Sequence, residues 1–168
     1  MQKTLLLCRH AETLDPYPLQ PDFERALTPH GHQQALRTGQ WIRDKFRKVD
    51  ALLASPAQRA STTARILASR LYFDENQISY NPDLYNARET QLLRCLAELP
   101  EQVNMVLLVA HNPGITRLAR NLSEKYISYL EPATVVAVNL DLDSWQDLYT
   151  TTGTLASDNI AENSKYNA

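Results

Sequence analysis

Arginine and histidine stand together where an apolar run stops: Leu5-Leu6-Leu7-Cys8 leads straight into Arg9 and His10, then Ala11 and Glu12. The pattern recurs twice. Met105-Val106-Leu107-Leu108-Val109-Ala110 ends in His111-Asn112-Pro113-Gly114, and Asp50-Ala51-Leu52-Leu53-Ala54 ends in Ser55-Pro56, with Arg59 about one turn into the segment that follows. Short apolar runs with such breaks read as buried strands, and if they are parallel their carboxyl ends open into one crevice. Two arginines and two histidines in a crevice suit a dianionic group, most plausibly phosphate. Arginine meets phosphate oxygens with a fixed fork of donors, which lysine lacks. A lone histidine after a strand is more often a structural hydrogen-bonder, and a lone arginine a surface charge. Four such residues at three strand ends weigh against chance, so Arg9, His10, Arg59 and His111 are the candidate site, with Asn112 beside them as a further phosphate binder.

The elements that must position these residues follow in order. A loop with three prolines, Pro16, Pro18 and Pro21, runs after the first strand and is expected to fold over its end. Thr28 reads as the N-cap and Pro29 as the first residue of a helix whose buried stripe is Ala35, Gly39, Ile42 and Phe46. Gly31, in that first turn, permits a close approach. A second helix should bury Ala60, Ala64, Leu67 and Leu71, and a third, from Glu89 to Leu99, should bury Leu92, Leu93, Leu96 and Leu99. Ile78-Ser79-Tyr80 reads as a brief edge strand, Met105 to Ala110 as the central strand, and Ile115 to Leu122 as a fourth helix. Thr134 to Leu140 is valine-rich and suits a strand covered on both faces, and Trp145 to Thr152 is expected as a last edge strand. Alternation of helices with strands and the lack of a dividing linker give one three-layer α/β/α domain over residues 1–156, with a mostly parallel sheet and a flexible tail over 157–168.

With 168 residues and 43% hydrophobic residues, the chain can bury a full core. Its net charge of −2 gives no reason to expect nucleic acid as a partner. No apolar run reaches bilayer length, and the first strand begins too early to leave room for a signal peptide, so a cytoplasmic protein is expected, with no membrane partner. Cys8 and Cys95 have no metal-like or framework spacing, and Cys8 reads as a small buried hydrophobe. His30 and His32 flank Gly31, but their spacing sets them on different helix faces, so neither a metal nor another cofactor is expected.

Four segments in this order resemble the histidine phosphatase superfamily, also called phosphoglycerate mutase-like. Leu7-Cys8-Arg9-His10-Ala11-Glu12 is similar to its Arg-His-Gly/Ala signature, Arg25-Ala26-Leu27-Thr28-Pro29-His30-Gly31 to its R-x-L-T-x-x-G segment, Ser55-Pro56-Ala57-Gln58-Arg59-Ala60 to its S-P-x-x-R-A segment, and His111-Asn112-Pro113-Gly114 to its second-histidine motif. By length and by the last motif the chain most resembles the small SixA-type phosphohistidine phosphatases. The resemblance implies that His10 is a nucleophile that becomes transiently phosphorylated, and that Arg59 is the second phosphate-binding arginine. Arg9 and Arg59 would disfavour imidazolium at His10, and the arginines and His111 would take up charge on the transferring group. Water would then hydrolyse the phosphoenzyme without a metal.

The larger family members carry a carboxylic acid that protonates an alkoxide leaving group. Here Asn86, in Leu84-Tyr85-Asn86-Ala87-Arg88-Glu89, stands where that acid would fall. Glu12 and Glu89 are the remaining candidates for an acid or a water-ordering group, though Glu12 reads equally well as a loop anchor and Glu89 as a first-turn helix carboxylate. Phosphohistidine leaves through a nitrogen and asks less of an acid. The expected activity is removal of phosphate from phosphohistidine on a phosphotransfer protein. The alternatives are a phosphatase for a small phosphate monoester and a catalytically weak phosphate- or phosphoprotein-binding module.

Overall fold

A computed structural model describes residues 1–167 of the chain. Six strands form one sheet: β1 (Gln2–Arg9), β2 (Ala51–Ala54), β3 (Ser79–Tyr80), β4 (Met105–Ala110), β5 (Val135–Asp141) and β6 (Thr154–Asp158), in the spatial order β3-β2-β4-β1-β5-β6. The first four of that order are mutually parallel, and β5 and β6 add an antiparallel edge. The five α-helices are α1 (Pro29–Phe46), α2 (Gln58–Leu71), α3 (Glu89–Ala97), α4 (Gly114–Ser123) and α5 (Ile160–Asn167).

The apolar runs look continuous because both faces of the sheet are covered. In β1, Leu5 and Leu7 join the core under α3 and α4, while Leu6 and Cys8 join the core under α1 and α2. The central strand β4 splits the same way, with Val106, Leu108 and Ala110 on one side and Leu107 and Val109 on the other. This is the three-layer α/β architecture the sequence implied, with Met105–Ala110 in the middle of the sheet.

Local rules explain the helix that frames the site. Thr28 Oγ1 accepts a hydrogen bond from the Gly31 amide at 2.8 Å, and Pro29 occupies the first turn. A Cβ on Gly31 would lie 2.3 Å from the Glu12 carbonyl oxygen, so only glycine lets α1 sit against the turn that follows β1. Gly114, opening α4, is confined alike: a Cβ there would lie 2.2 Å from the Ala87 carbonyl oxygen.

Two expectations about the last quarter of the chain need correction. Trp145–Thr150 is a 3-10 helix, not a strand: Ser144 caps it, accepting from the Gln146 amide while its own amide donates to Asp147. The last edge strand comes later, as β6. The segment from Ser157, expected as a flexible tail, instead completes β6 and forms α5; only Ala168 lies outside the described residues. Asn159 holds it in place: its Oδ1 accepts from the Val135 amide at 2.8 Å and its Nδ2 donates to Thr38 Oγ1 at 3.2 Å. Single polar side chains do this attachment, which no hydrophobic period would reveal.

Replacing Asn159 with alanine strands buried backbone and hydroxyl groups, so Asn159→Ala should lower the unfolding free energy by about 1–3 kcal/mol in denaturant titration. A loss within the noise of the titration would mean that the C-terminal segment contributes nothing to the fold.

Candidate active site

Register brings the chemistry together. In the parallel pairing of β1 with β4, Arg9 lies opposite Ala110, so the next residues along, His10 and His111, emerge side by side. Their ring centroids are 5.3 Å apart. Ala54 of β2 lies opposite Val109, which sets Ser55 beside them, and the Ser55 amide donates to the Val109 carbonyl at 3.1 Å. Arg59 reaches the same place from the first turn of α2, whose N-cap, Ala57, has no capping side chain. Arg59 and His111 are buried at 4% and 2% exposure and His10 at 8%.

The tautomer of His10 follows from its partner. Its Nδ1 lies 2.8 Å from the Ala11 carbonyl oxygen, which can only accept, so Nδ1 carries the hydrogen and Nε2 keeps its lone pair. Burial, and then the charges of Arg9, Arg59 and Arg25, lower the pKa of this ring from 6.5 to about 4. The ring is neutral at neutral pH, as a nucleophile must be.

His111 is neutral too. Burial first, then the nearby His10 and Arg59, push its pKa down to about 3. Its Nε2 lies 2.7 Å from Ser55 Oγ; the other partner of that hydroxyl among the described residues is the Ala57 amide, a donor, so the ring nitrogen is the acceptor for the hydroxyl hydrogen. That leaves the hydrogen on Nδ1, which has no protein partner. Arg9 Nε is likewise buried and unpartnered, while Arg9 Nη1 donates to the Leu130 carbonyl at 2.9 Å. Buried donors without acceptors are rare in folded proteins. Here one from a neutral imidazole and one from a guanidinium belong to residues grouped at the same strand ends, an arrangement an oxyanion would satisfy.

The turn carrying His10 is clamped from α2. Thr63 Oγ1 accepts from the Ala11 amide at 3.0 Å and donates to the Arg59 carbonyl at 2.7 Å, coupling the end of β1 to the helix that supplies the second arginine.

The other expected site residues have structural attachments. Asn112 was expected to bind phosphate, but both ends of its amide are engaged: Nδ2 donates to the Leu130 carbonyl at 2.8 Å and Oδ1 accepts from Thr116 Oγ1 at 2.5 Å. Glu12 accepts from Thr28 Oγ1 at 2.9 Å and so anchors the cap of α1. Both carboxylate oxygens of Glu89 accept from Asn121 Nδ2, at 2.8 and 2.9 Å.

Three residues at the mouth escaped the sequence reading as contributors. Asp22, in a short 3-10 turn over Asp22–Glu24, accepts from Arg59 Nη2 at 3.0 Å and from the Tyr85 hydroxyl at 2.5 Å. The Asn86 side-chain Oδ1 accepts from that same Nη2 at 3.3 Å. The Tyr85 ring packs edge-on against His111, 5.7 Å between centroids. The Tyr85 hydrogen bond, Arg25 and Arg59 together hold the Asp22 pKa down at about 2. The signal for Asp22 lay three residues before Arg25 in a proline-rich loop, without any period or strand end to mark it.

Comparison with known proteins agrees with this geometry. The sequence profile of the histidine phosphatase superfamily (branch 1) matches residues 5–89. The chain belongs to this superfamily. It is 27% identical over 135 residues to the uncharacterised protein ML1117 of Mycobacterium leprae, covering 76% of this chain and 81% of that one. A protein of Nakamurella multipartitia, described as a candidate SixA phosphohistidine phosphatase, superposes with a TM-score of 0.78 at 25% identity, covering 94% of this chain and 95% of that chain. The fold of the protein histidine phosphatase SixA, solved with tungstate, matches with a TM-score of 0.76 at 21% identity over 94% of this chain and 96% of that one. The resemblance to SixA-type members therefore holds in three dimensions, and the superfamily assignment makes phosphatase chemistry the activity to account for.

The two lowered pKa values make a stability prediction. Between the ordinary value of 6.5 and the folded values of about 4 for His10 and about 3 for His111, the unfolded chain binds protons that the folded chain refuses, so stability is complete above that window and falls as the pH is lowered through it. The slope should reach about 1.4 kcal/mol per pH unit for each ring. Denaturant titration across this window should show the slope, and a His10→Asn, His111→Asn double variant should lose it. An equal slope in the variant would mean that these rings are not held neutral.

Proposed function

We propose that this protein removes phosphate from phosphohistidine carried on another protein, through a phosphoryl group held transiently on His10. The observation that carries this reading is the neutral His10 ring, its Nε2 lone pair free, in a buried site flanked by Arg9 and Arg59. Nε2 attacks phosphorus in line with the departing group, while the guanidinium groups and His111 Nδ1–H take the charge of the equatorial oxygens. Water then attacks the phospho-His10 and releases inorganic phosphate, restoring the ring.

The choice of substrate rests on the groups beside the Arg59 guanidinium. A leaving alkoxide needs a proton, yet the neighbours are the Asn86 amide and the ionised Asp22, while Glu12 and Glu89 are committed elsewhere. Phosphohistidine leaves through nitrogen and needs no acid of that strength. The names of the SixA-type neighbours support the same substrate class. The surroundings suit a protein-borne group: Leu14, Tyr17, Leu19 and Phe23, on the loop that carries Asp22, are exposed, and so is Tyr129, which stacks over Arg9. The partner would be a phosphotransfer protein of the cytoplasm, in line with the expectation from sequence; among the described residues no helix is long and apolar enough to cross a membrane.

Intact-mass measurement during turnover tests the reading. A histidine-phosphorylated protein should be dephosphorylated faster than an aryl phosphate, with a phosphoryl adduct on the wild-type chain and none on His10→Ala. Arg59→Ala should retain the adduct but lower kcat/KM by about 100-fold or more, the usual cost of removing a transition-state donor. Preference for the aryl ester would instead favour a small-molecule phosphatase, and no adduct with either substrate would favour a binding module.

A further inference from the structure

Asp22 is a carboxylate where the reaction as described requires none. It lies against the guanidinium of Arg59, and its Oδ2 sits 3.0 Å from Nη2 and 2.5 Å from the Tyr85 hydroxyl. A carboxylate beside a phosphate-binding arginine repels the phosphate it helps to surround, so its position calls for a compensating role. Helix capping does not supply one: no Asp22 side-chain bond to a helix amide is formed, and the partners of its carboxylate are Arg25, Arg59 and Tyr85. About half of its side chain is open to solvent, so it can meet a bound molecule.

The chemistry of the proposed substrate says what that role could be. In transfer from phosphohistidine to His10, two imidazoles flank one phosphoryl group in line. The bond from His10 Nε2 to phosphorus forms as the bond from phosphorus to the substrate ring nitrogen breaks, and the electron pair of the broken bond stays on that nitrogen. If the substrate ring carries a hydrogen on its remote nitrogen, it departs as neutral imidazole. If it does not, it must depart as an imidazolate anion, a far poorer leaving group. The two rings are chemically equivalent, and one of them, His10, has its remote N–H held by the Ala11 carbonyl.

We propose that Asp22 provides for the other ring, as a catalytic residue that accepts a hydrogen bond from the remote N–H of the substrate's phosphohistidine and keeps that ring in its protonated, departing form. This deepens the phosphohistidine reading and rests on it. Arg59 and Arg25 face Asp22 as cations, Tyr85 donates to it, His111 lies within its electrostatic reach, and Glu24 shares its turn. With two guanidinium groups so near, an incoming imidazolium would be repelled without a carboxylate between them. The low pKa of Asp22 supports acceptance over donation, because the group is ionised throughout the working range. The same ionisation makes it useless to an alkoxide, so one residue both aids phosphoramidates and disfavours esters.

The test compares phosphoimidazole with 4-nitrophenyl phosphate as substrates for the wild type, Asp22→Asn and Asp22→Glu. In Asp22→Asn the ratio of kcat/KM for phosphoimidazole to that for the aryl ester should fall by about tenfold or more, the worth of a hydrogen bond to a charged group. The alkaline limb of the phosphoimidazole profile should move to lower pH, since the bound ring loses its proton sooner, and Asp22→Glu should restore part of both effects. A proportional loss on both substrates with an unmoved limb would reduce Asp22 to a positioning residue for Arg59. A gain on both would make it a competitor for Arg59. Either result overturns the proposal while a wild-type preference for phosphoimidazole leaves the phosphohistidine reading standing. A wild-type preference for the ester overturns both.

Discussion

The hydrogen bond from His10 Nδ1 to the Ala11 carbonyl, 2.8 Å long, decides which nitrogen of that ring can react. A carbonyl oxygen cannot donate, so the hydrogen is committed to Nδ1 and the lone pair to Nε2. Burial and three guanidinium groups then keep the ring from taking a second hydrogen. Neither condition suffices alone. A neutral ring of the wrong tautomer would present N–H to phosphorus, and a correctly oriented but charged ring would have no electron pair to offer.

The rest of the structure maintains this arrangement. The parallel β1–β4 register places His111 beside His10, and Ser55 at the end of β2 turns the unpartnered hydrogen of His111 onto Nδ1. Thr63 ties the Ala11 amide to α2, so Ala11, next after His10, is held by its amide while its carbonyl holds the ring. On the other side, Glu12 and Thr28 lock the cap of α1 against the same turn, and Gly31 allows the approach. Arginines buried among these groups are costly unless something negative joins them. Arg59 meets that cost through Asp22, while Arg9 donates to the Leu130 carbonyl, lies against the Tyr129 ring and has the Glu131 carboxylate within electrostatic reach.

The central place of Met105–Ala110, the helix faces and the gathering of Arg9, His10, Arg59 and His111 at the strand ends could be read from the chain because each rests on a strong local signal. Apolar runs ending in Arg9-His10, Ser55 and His111 marked both the strands and the edge at which they open, and Thr28-Pro29 marked the start of α1. What escaped reading depends on contacts between distant segments. Asp22 finds Arg59 and Tyr85 across 37 and 63 residues, and neither partner is implied by its loop sequence. Asn112 sat correctly at a strand end but spends its amide on Leu130 and Thr116, so position alone overstated its role. Polar residues after Ser157 suggested a tail because their attachment, through Asn159 and Asn163, is made by hydrogen bonds and not by an apolar stripe.

Nitrogen-15 NMR of the chain labelled at its histidines tests the central claim most directly, because it reports both the tautomer and the charge of each ring. The account predicts that the His10 signals at neutral pH are those of a neutral ring with hydrogen on Nδ1, and that they remain so well below the ordinary histidine titration range. An Nε2–H tautomer, or an imidazolium at neutral pH, would contradict it, since neither has a lone pair facing the phosphoryl group.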